Sequence, residues 1–355
     1  MTQMFSQIEK QIFKSWIQYA IEPRIAKLTG RQIRTTGPRI AVMGNCQAFG
    51  VAYAMKVMDP SATVHHFSAI GHSRFANFDL LVKTLETYDY VFSHEFLSGH
   101  LRGPGDSAEL RQRLPRVTRL PAVTFAAFHP DLIYIQDPTQ PLHGFIFGPL
   151  GPYHSAIAVF GYRAGLSLDE TRALFNENVF QAAGYLDIWN DAARELLETT
   201  KRDFDVDLST ELMKWSRRGV FMFSLVHPMH YVLFDIAKIM WEKVGLKPPA
   251  TDFSYYQIHD LARAEIFPVY PPIAKHFGVQ GGYLFKLQNH HLANDVGDFL
   301  TLPQYLAACF RTYEKEGAAR LGNPRVDAWL ADEKTKNLLV GLARENLKAG
   351  RLPTL

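Results

Sequence analysis

Cys46 is the residue best placed for covalent or acid–base chemistry. It lies in the four-residue turn at 44–47, after an apolar run at residues 39–43 that predicts a buried strand. A helix-spaced run at residues 48–58 follows the turn. A cysteine at the start of a helix feels the positive end of the helix dipole, which lowers the pKa of the thiol and favours the nucleophilic thiolate.

The neighbours of Cys46 suit the same interpretation. Gly44 permits a tight turn, and backbone N–H groups near Cys46, together with the side-chain amides of Asn45 and Gln47, are suited to binding an oxyanion. The alternative is that Cys46 is a small buried apolar residue, as most free cysteines are.

His129 follows an apolar run at residues 122–128 that predicts a further strand ending at the same edge of the sheet. Histidine is the usual general base for a thiol or a hydroxyl, and a carboxylate such as that of Asp131 orients the ring in many enzymes. Because Asp131 is only two residues away, it need not face His129. A simple turn at residues 129–131 is the alternative.

Two more segments place polar groups at predicted helix starts. Tyr153, His154 and Ser155 end a Gly- and Pro-rich loop, which suggests either an anion site or a structural turn. His227 and His230 open a later helix with both rings on one face. No cysteine pair, carboxylate cluster or HExxH pattern completes a metal-binding set, so we expect no metal.

The bulk composition excludes several classes of protein. The 355 residues carry 38 basic and 35 acidic side chains, a formal charge of +3, with no long basic run, so we expect no nucleic-acid partner. Two cysteines are too few for a disulfide framework, which indicates a reducing compartment and hence a cytoplasmic protein. Phosphate-binding Walker loops, GxGxxG and GxSxG are absent from the sequence.

Strands and helices alternate in the first part of the chain and give way to continuous helical periodicity after residue 150. The pattern predicts an α/β fold, with a small, mainly parallel sheet flanked by helices and a large, mainly helical second unit. We divide the chain into an N-terminal helix and linker (1–37), an α/β domain (38–150) and a mainly helical domain (151–355).

The N-terminal segment at residues 4–28 carries apolar residues at helical spacing with basic residues between them. Such a stripe usually packs on the protein's own core or on a second subunit. It also fits a helix lying on a membrane surface, which would make the protein peripheral at the inner membrane.

The ordered combination of motifs resembles the WcbI-type polysaccharide-biosynthesis family of acetyltransferases. The residues that carry the resemblance are the turn at 44–47, the segment 128–134, the segment 151–156 and the segment 227–230. The resemblance covers residues 38–245 and implies a distant likeness to SGNH hydrolases, with a flavodoxin-like sheet. Asn45-Cys46 stands where those hydrolases have Asp-Ser, and their late Asp-x-x-His is not evident.

That resemblance implies that the protein binds coenzyme A and transfers an acetyl group to a sugar hydroxyl of a capsule or exopolysaccharide precursor. Cys46 would sit beside the coenzyme A thiol, with His129 and His154 as the possible bases. Covalent and direct transfer are both compatible with it. The expected coenzyme contacts are Gly44, Asn45, Gln47, Tyr153, Ser155, His227 and His230, with Arg74, Arg102 and Arg163 as partners for its phosphates.

Two other functions fit the sequence. One is a cysteine-dependent SGNH-like esterase or thioesterase, in which Cys46 forms an acyl-enzyme that water resolves. The other is a non-catalytic carbohydrate-binding protein of a polysaccharide assembly complex, in which Tyr255, Tyr256 and Tyr270 stack on sugar rings.

Overall fold

A computed structural model describes residues 37–68, 78–98, 105–137, 139, 144–289 and 297–354, with the isolated positions 21 and 25. The segment at 4–28, apart from those two positions, and the residues Arg74 and Arg102 lie outside these ranges, so the expectations for them stay predictions. Within the described part of the chain, no helix is long and apolar enough to cross a membrane.

A four-stranded, all-parallel sheet forms the first part of the protein, as the sequence predicts. Its strands run in the order β2-β1-β3-β4. The strands are β1 (Arg39–Gly44), β2 (Thr63–Ser68), β3 (Tyr90–Ser93) and β4 (Val117–Arg119), and the helices between them are α1 (Cys46–Met58), α2 (Phe78–Leu85) and α3 (Ser107–Arg113).

The two faces of the sheet are both covered. Ile40 and Val42 of β1 belong to the large core that contains α1 and the helical half of the chain. Ala41 and Met43, which alternate with them, belong to a smaller core. Residues of α2 and α3 complete that smaller core, so helices flank both sides of the sheet, as expected for parallel strands.

The fourth strand is not where the sequence placed it. The predicted strand at 122–128 is wrong, and β4 lies earlier, at Val117–Arg119. The later segment is irregular, and the backbone N–H of Phe125 donates to the carbonyl of Leu225 (3.0 Å). Phe125, Ala127 and Phe128 are all buried, so an apolar run that packs into the core without forming a strand caused the error.

The rest of the chain is mainly helical. Its helices are α4 (Ala156–Arg163), α5 (Leu168–Arg172), α6 (Glu177–Ala182), α7 (Trp189–Phe204), α8 (Ser209–Arg217), α9 (His230–Lys243), α10 (Pro271–Phe277), α11 (Leu302–Glu316), α12 (Pro324–Ala331) and α13 (Glu333–Lys348). Short 3-10 helices occur at Ser254–Tyr256, Asp260–Arg263 and Ala318–Arg320.

Three small antiparallel pairs lie among these helices. The strands β5 (Leu132–Tyr134) and β6 (Tyr153–Ser155) form one pair, β7 (Met222–Ser224) and β8 (His227–Pro228) a second, and β9 (Leu284–Lys286) and β10 (Phe299–Thr301) a third. The first two pairs carry several of the residues that the sequence singled out. One continuous apolar core runs across residue 150, from β1 to α13.

Candidate functional site

In an open parallel sheet, a ligand is expected in the crevice at the carboxyl ends of the strands, which here is formed by the ends of β1 and β3. In the sheet, β1 has β2 on one side and β3 on the other, so the order of the strands reverses at β1. Open parallel sheets bind ligands at such a switch point. Gly44 ends β1 and Cys46 begins α1, so the structure places the thiol at the predicted strand end.

His94 follows β3 directly and packs against the turn at Gly44. A Cβ atom on residue 44 would lie 2.2 Å from Nδ1 of His94, so only glycine fits there. The backbone N–H of Asn45 donates to Nδ1 of His94 (3.2 Å). Burial lowers the pKa of His94 to about 4, which keeps its ring neutral near pH 7. Sequence reasoning missed His94, although its position after the third strand was the available signal.

The Cys46 thiol is less acidic than the sequence suggested. Burial and, to a smaller extent, the nearby carboxylate of Asp260 raise its pKa from 9.0 to about 11. Backbone N–H groups of Cys46 and Gln47 act in the opposite direction but do not outweigh burial. The expectation of a lowered pKa is therefore wrong in direction, because desolvation of the thiolate exceeds the effect of the helix start. Near neutral pH, Cys46 is a thiol.

The side-chain amides of Asn45 and Gln47 differ in whether they keep a hydrogen-bonding group available to a ligand. Gln47 is fully engaged: its Nε2 donates to the carbonyls of Val123 (2.8 Å) and Val226 (2.9 Å). Its Oε1 accepts from the N–H of Val123 (2.9 Å). Asn45 caps α1 by accepting from the N–H of Gln47 (3.0 Å). Gln47 therefore holds the site together, and only Asn45 keeps an amide group for a ligand.

Two antiparallel pairs bring Tyr153 near the thiol and His227 against Tyr153. Tyr153 of β6 pairs with Tyr134 of β5, and their ring centroids are 5.4 Å apart. Both phenols interact electrostatically with Cys46. The hydroxyl of Tyr153 lies 3.3 Å from Nε2 of His227, which pairs with Ser224 in the β7–β8 pair. Burial raises the pKa of Tyr153 well above its usual range, so this phenol stays protonated.

Asp260 is a second residue that the sequence did not reveal. It begins a 3-10 helix and is close enough to Cys46 to raise the pKa of the thiol. The segment before it is fixed to α1, because Nε2 of Gln257 donates to the carbonyl of Gly50 (2.9 Å). Directly before Gln257, Tyr255 and Tyr256 are exposed, with ring centroids 4.4 Å apart. No local motif around Asp260 would have signalled its position.

His129 is part of the aromatic core. It is 2% exposed, and the rings of Phe128 and Phe267 lie edge-on to it. Burial lowers the pKa of His129 to about 3, and a backbone contact with Phe267 offsets only part of this effect. These surroundings favour a structural role, since a general base needs access to the proton that it removes.

His154 is turned away from Tyr153, its neighbour in β6. Successive residues of a strand point to opposite faces, so Tyr153 and His154 cannot share a site on one face. Nε2 of His154 is paired with the carbonyl of Ile146 (2.8 Å), and Nδ1 lies 3.2 Å from the Tyr313 hydroxyl. Because His154 is fully buried, these bonds favour a structural role for it as well.

Asp131 and Ser155 also have structural roles. Ser155 caps α4 by accepting from the N–H of Ala158 (3.0 Å). The fully buried carboxylate of Asp131 accepts from the hydroxyls of Tyr185 (2.9 Å) and Tyr270 (2.8 Å). Burial raises the pKa of Asp131 in spite of these donors. Tyr270 is 1% exposed, so the expectation that it stacks on a sugar ring is wrong.

His230 and Arg163, which the sequence also suggested as coenzyme contacts, interact with other parts of the protein. The ring of His230 lies against that of His259, with centroids 3.6 Å apart, and not against His227. Arg163 forms an ion pair with Asp327, which joins α4 to α12. The structure therefore places Tyr153 near Cys46 at the start of α1 and His227 against Tyr153, whereas Arg163 makes a different contact.

This arrangement contains the groups that acyl transfer needs. At the end of the parallel sheet, a protonated thiol lies near a carboxylate and near a protonated phenol, and an imidazole meets the phenol. The imidazole can accept a proton, the phenol and thiol can donate hydrogen bonds, and the start of α1 favours developing negative charge.

The sequence profile of the family described as "Polysaccharide biosynthesis enzyme WcbI" matches residues 39–249. This match spans more than half of the chain and includes all the residues of the crevice except Asp260 and the segment just before it. The chain belongs to this family and is a polysaccharide biosynthesis enzyme. No curated protein matches the chain, and no solved structure does.

Proposed function

We propose that the protein is an acyl-CoA-dependent O-acetyltransferase that acts on a sugar hydroxyl in capsular or exopolysaccharide biosynthesis. The observation that carries the proposal is the grouping of Cys46, Tyr153 and His227 at the switch point of the sheet. The thioester of acetyl-CoA would lie against Cys46, and the acceptor hydroxyl would approach from the side of His227.

In the proposed reaction, the imidazole of His227 takes the proton of the sugar hydroxyl while the hydroxyl oxygen attacks the thioester carbonyl carbon. The negative charge that forms on the carbonyl oxygen is stabilised by the amide of Asn45 and the start of α1. When the tetrahedral intermediate collapses, the carbon–sulfur bond breaks and the sulfur of coenzyme A leaves. The proton held by His227 passes to that sulfur, and an acetyl ester remains on the sugar.

The protonation state of Cys46 favours direct transfer over an acyl-enzyme. With a pKa of about 11, the thiol is not a nucleophile at neutral pH unless a base first removes its proton. As an S–H donor it can instead hydrogen-bond to the departing sulfur. Tyr153 would keep His227 in the orientation required for proton transfer, because its hydroxyl meets the ring.

The exposed pair Tyr255 and Tyr256 supports a carbohydrate acceptor. These rings lie in the segment that leads to Asp260 and so to Cys46, and aromatic rings offer an apolar surface to the C–H face of a sugar. Asp260 supplies a carboxylate that can accept a hydrogen bond from a second sugar hydroxyl.

The direct test is to incubate the protein with acetyl-CoA and de-O-acetylated capsular oligosaccharides and to follow released coenzyme A and acetylated product by mass spectrometry. We expect release that depends on the acceptor. Release at the same rate without acceptor would instead identify a thioesterase, and failure of millimolar coenzyme A to raise the melting temperature would refute the acyl-transfer proposal.

A further inference from the structure

A cavity of about 380 Å³ lies at the opposite end of α1 from the thiol, between α8, α9 and the segment 249–252. Met58, the last residue of α1, lines it, whereas Cys46 is the first residue of that helix. Twelve helical steps separate these residues, roughly 18 Å. The cavity is therefore distinct from the crevice that holds Cys46, Tyr153 and His227.

Four cationic side chains converge on this cavity, namely Lys214, Arg217, Arg218 and Lys238. Two carboxylates, Asp235 and Asp252, also line it, which leaves an excess of two positive charges. Such a concentration of like charge around a concave surface is unfavourable without a counter-charge, and it attracts anions.

Among the residues that the structure describes, neither carboxylate forms an ion pair with these cations, although Asp235 interacts electrostatically with Lys214 and Arg218 over a longer distance. Asp235 accepts a hydrogen bond from Nε1 of Trp215 (2.7 Å), and burial raises its pKa. Asp252 accepts from the N–H of Ser254 (2.8 Å). Asp252 feels Arg218 and Lys238, which contribute to lowering its pKa, yet neither cation is within ion-pair distance of it in the described part of the chain.

The cations themselves keep their donors available. Within the described residues, Arg217 and Lys238 form no ion pair, and Lys214 has only a 3.5 Å contact with Glu211 on its own helix. The guanidinium of Arg218 lies over the ring of Tyr231, 4.6 Å from its centroid, which fixes its direction without using its hydrogen-bond donors. Guanidinium and ammonium groups arranged in this way match phosphate oxygens.

We propose that this cavity binds a ligand that carries two linked phosphate groups. Two chemical sources supply such a group to the proposed acetyl transfer, namely the nucleotide end of coenzyme A and a sugar activated as a nucleoside diphosphate. The existence of the anion site does not depend on the proposed function, whereas the choice between these two sources does.

Inorganic pyrophosphate is the first probe. At millimolar concentration, against sodium chloride of equal ionic strength, it should raise the melting temperature of the full chain by about 2 °C or more. The double variant Arg217→Ser/Lys238→Ser should lose this shift, because both side chains are exposed and free of ion pairs in the described structure, so the fold is kept.

The matched control is Lys247→Ser/Lys334→Ser, which removes the same charge from exposed residues that do not line the cavity. It should keep the full shift. An equal shift in both double variants, or none in the unchanged protein, would overturn the proposal. Circular dichroism shows whether each variant is folded, and Lys238→Glu should abolish the shift even if the double variant is unstable.

Calorimetry with coenzyme A, pantetheine and UDP-glucose then separates the two sources. If the cavity holds the nucleotide end of coenzyme A, the double variant weakens coenzyme A binding about tenfold or more and leaves pantetheine unchanged. If it holds an activated sugar, UDP-glucose binding falls and coenzyme A binding stays. Cys46→Ala should keep the pyrophosphate shift, so loss of acetyl transfer and loss of the anion site are measured independently.

Discussion

The hydroxyl oxygen of Tyr153 lies 3.3 Å from Nε2 and 3.5 Å from Nδ1 of His227, so a phenol on one antiparallel pair meets an imidazole on another. The rings stand nearly perpendicular, at 85°, with centroids 5.8 Å apart. Burial keeps the phenol protonated, which makes it a hydrogen-bond donor to the ring. This contact joins the β5–β6 pair to the β7–β8 pair near the thiol at the start of α1.

Tyr153→Phe removes that donor and keeps the ring that packs on Tyr134. We expect the variant to fold normally and acetyl transfer to fall on the order of a hundredfold, because His227 loses the group that orients it. Tyr162→Phe is the control, since Tyr162 packs its ring on Phe310 and lies outside the crevice. Steady-state rates should separate the two variants, and equal activities would rule out a positioning role for Tyr153.

Alanine substitutions of the two cysteines should have opposite effects on activity and stability. Cys46→Ala should leave the melting temperature nearly unchanged and reduce transfer on the order of a hundredfold. Cys309 is fully buried beside Tyr305 and Tyr313. Cys309→Ala should therefore cost about 1 kcal/mol or more of folding free energy while the folded fraction stays active. Full activity in the Cys46 variant would move the chemistry to Tyr153 and His227 alone.

The raised pKa of Cys46 predicts how fast the thiol is alkylated. The alkylation rate of a thiol with a pKa of 9.0 approaches its maximum above pH 9. The alkylation rate of a thiol with a pKa of about 11 still rises as the pH is increased beyond 9. At pH 7, iodoacetamide should therefore modify Cys46 roughly a hundredfold more slowly than a free thiol. Peptide mass spectrometry at a series of pH values measures this, and a plateau below pH 9 would contradict the assigned pKa.

His94 predicts a loss of stability in acid. Its pKa falls from 6.5 to about 4 on folding, so below pH 6.5 the unfolded chain takes up the proton first. The stability is therefore complete above pH 6.5 and declines as the pH falls towards 4. His94→Gln keeps an acceptor for Asn45 but does not titrate, so it should lose roughly 2 kcal/mol less between pH 7 and pH 4.5. Urea unfolding at both pH values tests this, and equal losses would refute it.

The sequence predicted the sheet well because its strands and helices alternate with clear periodicity. It predicted the position of Cys46 for the same reason, since a strand, a glycine and a helix-spaced run leave little choice. It failed at residues 122–128, where buried side chains pack without strand hydrogen bonds. The continuous helical periodicity after residue 150 also did not show that α5 and α6 are separate helices. Asn176 stands before α6, and its Nδ2 donates to the carbonyl of Ala173 (2.9 Å).

The partners of Cys46 depend on contacts that a sequence does not display. His129 and His154 were natural bases because histidine suits that role, yet each packs into the core. His227 reaches the crevice because β7 and β8 turn it towards Tyr153. Asp260 belongs to a segment without a motif of its own. The positions of these residues depend on contacts between segments far apart in the sequence, and local periodicity does not reveal such contacts.

The hydrogen bonds of Gln47 limit which truncated forms of this chain can fold. Its side chain joins α1 to Val123 and, across 179 residues of sequence, to the carbonyl of Val226. A fragment that ended at residue 150 would lack one of these acceptors and would expose the apolar side of α1 that packs on α9. Shortened forms of this protein should therefore aggregate, and segmental labelling or complementation would need both pieces to be produced together. The turn at 44–47 therefore needs residues from both halves of the chain to hold its structure.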